Sequence, residues 1–303
     1  MTENGRFSLA VIPAKAGIQE KGDSLNGLLD PRRSTFRPNM QWATSKGVVN
    51  MFEDRVALIT GSTSEGMGRS IAFTLAHRGA DIVLNYGTNR RDAEADSAAM
   101  KVESTIREMG RRVLLVKADT RKDEEVSEMI HRATDEFGRI DILVNNAGGD
   151  WHVQDYPEIG YDHWRDVLAA EIDGAFLTMK YVVPGMRERG WGRIIHLGMT
   201  RVLHLQTMKN LAPDYCLGKA ARSWMTAAFG IQEFDRGITV NIIEPDLTKH
   251  LAFEDALKAA RGDLADWHRR GESTAHDVAE IVAFLCSDAG RFVSGSSIRL
   301  PTD

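Results

Sequence analysis

The residues whose types and spacing most directly suggest chemistry are Tyr215 and Lys219, in the run Tyr215-Cys216-Leu217-Gly218-Lys219. Residues four apart on a helix share a face, so a phenol and an ammonium would meet in one site. A free tyrosine titrates near about 10, and a neighbouring cation favours the phenolate, making the phenol a better proton donor or acceptor near neutrality. Such a pair suits proton transfer to or from an oxygen. Alone, the spacing also describes an ordinary helix face, so the elements that would position it have to supply the context.

The first of these elements runs from Asp54 to Arg78. An apolar run, Val56 to Ile59, has the length and β-branched character of a buried parallel strand; a turn bearing Gly61, Gly66 and Gly68 follows, and Ile71, Ala72, Leu75 and Ala76 then fall at helical spacing. Strand, glycine turn, helix is a phosphate-binding device, because glycines let backbone N–H groups approach a pyrophosphate at the positive end of a helix. Further apolar runs at Ile82–Tyr86, Val113–Val116, Ile140–Val144, Arg193–Leu197 and Thr239–Ile243 sit between stretches of helical spacing. Alternating strands and helices predict a parallel sheet covered on both faces, in doubly wound topology. After the fourth strand comes Asn145-Asn146-Ala147-Gly148, small and polar residues where a cofactor must approach backbone.

In this order, the glycine turn after Thr60, the Asn-Asn-Ala-Gly run and the Tyr-x-x-x-Lys run resemble the short-chain dehydrogenase/reductase family, from Phe52 to Pro301. The resemblance implies one Rossmann-like α/β domain with strand order 3-2-1-4-5-6-7, moving a hydride between NAD(P) and a carbonyl or secondary alcohol. It implies Tyr215 as acid/base and Lys219 as its activator and ribose anchor. Cofactor contacts are expected from Thr60, Gly61, Ser62, Gly66, Met67, Gly68, Asp119, Asn145, Ala147, Gly148, Lys219, Pro245 and Thr248. A homotetramer or dimer is implied too, with helices over 161–189 and 214–235 at an interface. The second strand ends at Asn85-Tyr86-Gly87 without the acidic residue that would hold an NAD ribose, and Arg90-Arg91 follow, so NADP is expected, with NAD the alternative. Glu65 argues the other way, and a helix-capping role for Arg90 and Arg91 stays open.

Several active-site positions depart from the family pattern. Four residues separate Gly61 from Gly66 where the family has three. The catalytic serine aligns with Met199, whose thioether cannot donate a hydrogen bond. Thr200 is the candidate substitute, on condition that it has left the strand, since side chains alternate faces along one; His204 or Gln206 could also reach in. The family's helix asparagine aligns with Glu171, which shares a stripe with Trp164, Val167, Leu168 and Ala175. Its burial is therefore expected, with Lys219 as partner and a proton relay or a structural acid as its role. The threonine expected against the nicotinamide carboxamide is His250, and Thr248 is the candidate replacement. Leu251–Arg270 occupies the lid position, with Phe253, Leu257, Leu264 and Trp267 as an apolar substrate wall or as core. Asp150, Trp151 and His152 sit at the expected cleft entrance. These departures motivate two rivals: a cofactor-binding protein that has lost turnover, and enoyl reduction or dehydration on the same scaffold.

Composition limits the alternatives. The chain has 303 residues, 43% of them hydrophobic, enough for one sizeable core. Its 38 basic and 43 acidic residues are mixed throughout, leaving no basic stripe for nucleic acid. Two cysteines exclude a disulfide framework and fit a reducing cytoplasm. No apolar run approaches the about 18 residues of a membrane span, and the histidines show no metal-ligand spacing. Residues 1–50 carry scattered Gly, Pro, Ser and Asn without periodicity, and Arg32-Arg33 lacks the apolar segment of an export signal. They are expected to be a disordered or mis-assigned N-terminal extension, with translation starting at Met40 or Met51, and 51–303 the dinucleotide-binding catalytic domain.

Overall fold

The computed structural model describes residues 50–87, 93–200, 202, 212–263 and 272–300. All of them lie in the unit Ser45–Asp303. The expectations that fall on residues 1–49, Arg90, Arg91, His204, Gln206, Leu264, Trp267 and 301–303 lie outside the described residues.

Seven strands form one parallel sheet: β1 Val56–Ile59, β2 Asp81–Tyr86, β3 Val113–Lys117, β4 Ile142–Asn145, β5 Gly192–Leu197, β6 Ile238–Pro245 and β7 Ser297–Leu300. Their order is β3-β2-β1-β4-β5-β6-β7, as the family resemblance implies. Every residue of β1, β4, β5 and β6 is buried, which explains why these strands read as continuous apolar runs rather than alternating ones. Eight α-helices connect or flank them: α1 Met67–His77, α2 Ala93–Glu108, α3 Asp123–Phe137, α4 Tyr161–Leu168, α5 Gly174–Arg189, α6 Pro213–Phe234, α7 Phe253–Ala260 and α8 Ala275–Cys286.

Alternation along the strands divides the core into two layers. Ile59, Leu84, Ile195 and Ile243 pack with α1 and α8 on one face. Leu58, Val83, Ile194 and Val240 pack with α3 and α5 on the other. Strand order reverses between β2-β1 and β4-β5, and the crevice beyond the carboxyl ends at such a switch point is where α/β sheets bind ligands. The fourth strand starts two residues later than its apolar run, at Ile142. Before it, the Asp141 carboxylate turns back to accept from Val56 N at 3.0 Å and to hold Arg139. In the lid position, Phe253 stacks edge-on against Phe73 at 5.3 Å and Leu257 packs on the same core layer. These two residues belong to the core rather than to a substrate wall. No helix among the described residues is long and apolar enough to cross a membrane.

Candidate active site

A cleft of about 990 Å³ opens over the carboxyl ends of β1, β2, β3 and β4, and Gly61, Gly66, Met67, Gly68, Asp119, Ala147 and Gly148 line it. Gly61 has φ +62° and Gly66 φ +156°, values that side chains rarely adopt. A Cβ on Gly68 would lie 2.5 Å from Asn146 Nδ2 and 2.6 Å from Gly61 O, so the bare backbone keeps the cradle open. Thr60 Oγ1 accepts from Asn146 N and Ala147 N, both at 3.0 Å, while Asn146 Nδ2 donates to Thr60 O at 2.8 Å and Gly61 O at 2.9 Å. The glycine turn and the Asn-Asn-Ala-Gly turn are thereby joined into one surface. It ends at the start of α1, whose first turn contains no acidic residue, an arrangement suited to a dinucleotide's phosphates. Ser64 and Glu65, in the middle of the glycine turn, are exposed. Asp119 stands at the cleft beside β3, and hydrogen bonds from Arg121 hold its carboxyl below the usual range.

A second group of residues meets on α6. Tyr215, Lys219 and Arg222 are four and three apart and so share one face. That face meets a π-helical turn, Ala169–Asp173, lying between α4 and α5. Turns of this kind insert a residue into a helix and are frequent at functional sites; this one carries Glu171 into the interior, where it is fully buried. Glu171 Oε2 lies 3.1 Å from Lys219 Nζ and 2.9 Å from Arg222 Nε, and Oε1 accepts from Gly149 N at 2.8 Å. Gly148 and Gly218 have no side chain where one would strike Glu171. Lys219 Nζ donates to Leu197 O at 3.0 Å and lies 5.0 Å from the centre of the Tyr215 ring. Trp151 meets that ring edge-on at 5.3 Å.

The electrostatics differ from the simple expectation. Burial raises the Tyr215 phenol above its ordinary value, the Glu171 carboxylate raises it further, and Arg222 opposes both. Burial also pulls Lys219 down to about 8, against the attraction of Glu171 and with the repulsion of Arg222. The phenol therefore stays protonated at neutral pH, as a proton donor.

The model of the family described as enoyl-(acyl carrier protein) reductase matches residues 61–300. The chain belongs to the short-chain dehydrogenase/reductase family. It is 34% identical over 254 residues to a 3-oxoacyl-(acyl-carrier-protein) reductase of Staphylococcus epidermidis, covering 82% of this chain and 97% of that protein. Cyclohexanol dehydrogenase of an Acinetobacter species is 31% identical over 247 residues, 82% of this chain and 93% of its own. Among solved structures, the blue fluorescent protein from a metagenomic library in complex with NADPH superposes with a TM-score of 0.70 at 26% identity, covering 83% of this chain and 98% of that one.

Other positions expected to serve a short-chain dehydrogenase/reductase site lie behind the cleft. The Ser62 hydroxyl is buried and donates to Asn85 O at 3.2 Å. Asn145, inside β4, accepts from Thr178 Oγ1 at 2.7 Å, so it braces α5. Thr60 acts through the turn contacts described above. Pro245 ends β6, and its carbonyl accepts from Thr200 N at 3.1 Å. Thr200 lies beyond β5, which ends at Leu197, in a buried turn tied to β6 by that bond, so the condition set for it, departure from the strand, is met. Thr248 donates to Asp246 O at 3.1 Å within its own turn, and the residue lining the cleft over Gly66 is instead His250. Two participants escaped the sequence reading. Arg222 was detectable as a charge on the stripe of Tyr215 and Lys219. His163, which lines the cleft and lies 3.3 Å from the buried Asp214 carboxylate, had no such signal.

Proposed function

We propose that this chain is an NADP-dependent oxidoreductase that transfers a hydride between nicotinamide and a carbonyl or secondary alcohol of a small organic substrate, with NAD the alternative cofactor. The observation that carries the reading is the meeting of Tyr215 and Lys219 on one face of α6, with Lys219 Nζ bonded to the end of β5 and 5.0 Å from the phenol ring. When bound in the cleft, the cofactor supplies or takes the hydride. The chain's own work is to hold and move the proton: the Tyr215 hydroxyl donates it to the substrate oxygen, and Lys219 holds a cation beside the phenol that offsets the negative charge left behind. A phenol kept protonated by its surroundings is in the form that carbonyl reduction requires. Gly61, Gly66, Met67 and Gly68 would bind the phosphates, Asp119 the adenine end, and Ala147 and Gly148 the middle of the cofactor. Trp151, beside the Tyr215 ring, shapes the substrate side.

The preference for NADP rests on β2. Asn85 stands at its end and uses its side chain to accept from Gly61 N at 3.3 Å and to donate to Ala118 O at 3.0 Å. A neutral carboxamide neither anchors a free ribose as a carboxylate would nor repels a 2′-phosphate. The structural neighbour in complex with NADPH supports the same choice. Residues 51–303 are the catalytic domain. Two free, buried thiols, Cys216 and Cys286, fit a cytoplasmic location. A homotetramer or dimer would cover the apolar residues that α6 exposes.

Mixing the purified protein with NADPH or NADH and a panel of ketones, 3-oxoacyl thioesters and 2-enoyl thioesters tests the proposal. Oxidation of NADPH with ketones or 3-oxoacyl thioesters is expected. Tight NADPH binding without turnover would support a protein that has lost catalysis, and conversion with no net change in cofactor would support dehydration.

A further inference from the structure

The buried face of α6 holds more charge than a Tyr–Lys pair needs, and the excess is balanced. Lys219 supplies one positive charge beside Tyr215, and Glu171, at 3.1 Å, cancels it. In a site that excludes water, that carboxylate would leave the phenol facing a neutral pair. Arg222 adds the missing charge. Its guanidinium is fully buried and is the largest such side chain in the described residues. It donates to Glu171 O at 2.8 Å, Asn145 O at 3.1 Å, Leu197 O and Ala170 O at 3.2 Å, and to Ala147 O. These carbonyls belong to the ends of β4 and β5, the Asn-Asn-Ala-Gly turn and the π-helical turn. Leu197 O is also the acceptor for Lys219. One side chain therefore fixes both the geometry and the charge of the corner, leaving a single net positive charge among Glu171, Lys219 and Arg222.

We propose that Arg222 is a positioning residue that restores beside Tyr215 the positive charge that Glu171 cancels, and so makes a buried acid compatible with proton transfer at this site. The proposal rests on the reading of Tyr215 and Lys219 as the proton-transfer pair. The remaining groups around Tyr215 do not supply this charge. Asp214 and Cys216 flank it on α6. His163 comes from α4 and is held by Asp214 at 3.3 Å. His196 on β5 is fully buried and pushed down to about 3, hence neutral. Glu244 on β6 is taken up by Ser223 at 2.9 Å and by Arg299. Asp150 and His152 flank Trp151 in the loop beside the ring.

The role gives opposite signs for two substitutions, which a plain packing role would not. In protein carrying 13Cε-labelled lysine, the Lys219 signal is assigned by its loss in Lys219→Arg, and its midpoint is followed with pH. The wild-type midpoint is expected at about 8. Arg222→Met removes a repelling cation and should raise it by about one pH unit or more; Glu171→Gln should lower it similarly, and the double variant should return close to the wild type. Arg222→Lys, which keeps the charge, should stay near the wild type. In the pH profile of kcat/KM for alcohol oxidation, the limb that reports phenolate formation should move in the same senses. The NMR titration needs no turnover, so a protein inactive with every substrate would defeat the functional reading while the Lys219 shifts still report whether Arg222 offsets the Glu171 charge. An unmoved Lys219 midpoint in folded Arg222→Met, or shifts of the same sign in both single variants, would overturn it. If Arg222→Met does not fold, Arg222→Gln, which keeps donors for the carbonyls, is read in its place by the same criteria.

Discussion

At the scale of single residues, the site depends as much on missing side chains as on present ones. Gly68 is the sharpest case, because the atoms a Cβ would strike cannot easily withdraw: Asn146 Nδ2 is committed to Thr60 O and Gly61 O. Gly68→Ala would spread the glycine turn from the Asn-Asn-Ala-Gly turn, and overpacking of this kind costs about 1–3 kcal/mol. If that strain falls on the cofactor cradle, NADPH affinity measured by calorimetric titration drops by about 10-fold or more; unchanged affinity would show that the two turns need not touch. Glu171 is a residue whose burial and pairing with Lys219 the sequence conveyed well. Its place on an apolar stripe announced burial, and burial required a partner. Thr248 and His250 were not legible, because which of them meets the cleft depends on the turn after β6, where Thr248 bonds to Asp246 O. Arg222 was visible but unread: the pair Tyr215 and Lys219 accounted for the stripe without it.

At the scale of elements, the strands were legible because a parallel sheet buries them on both faces, and a run such as Val56–Ile59 has no other use. The strand order followed from alternation with helices and from family resemblance together. What the sequence could not convey is the π-helical turn at Ala169–Asp173. One inserted residue barely disturbs the spacing of Trp164, Val167 and Ala175, yet it changes where Glu171 points. The end of β5 was obscure for a related reason. Where the strand gives way to the turn that holds Thr200 is set by backbone bonds such as that from Thr200 N to Pro245 O, at 3.1 Å, to which apolar periodicity is blind. Similarly, the spacing of Phe253 and Leu257 fitted wall and core equally, and only the contact with Phe73 distinguishes them.

At the scale of the whole molecule, the exposed face of α6 presents Leu217, Trp224 and Ile231, seven apart, with Trp224 70% and Ile231 79% exposed. Seven residues are close to two helical turns, so the three form one stripe. An aromatic and aliphatic stripe of this size is costly to leave in water, and a second copy of the chain would cover it. If the proposed dimer or tetramer uses this stripe, replacing Trp224 and Ile231 together with Glu should lower the mass by light scattering to that of a single chain, with the far-UV spectrum retained; an unchanged mass would rule this stripe out as the interface. The same helix carries Tyr215 and Lys219 on its inner side, opposite this stripe. The most direct test of the account is the rate of NADPH oxidation by Tyr215→Phe with a carbonyl substrate that the wild type reduces. Removing one hydroxyl from a folded, cofactor-binding protein should lower kcat/KM by about 100-fold or more, whereas a rate within about twofold of the wild type would contradict the assignment of the proton to Tyr215.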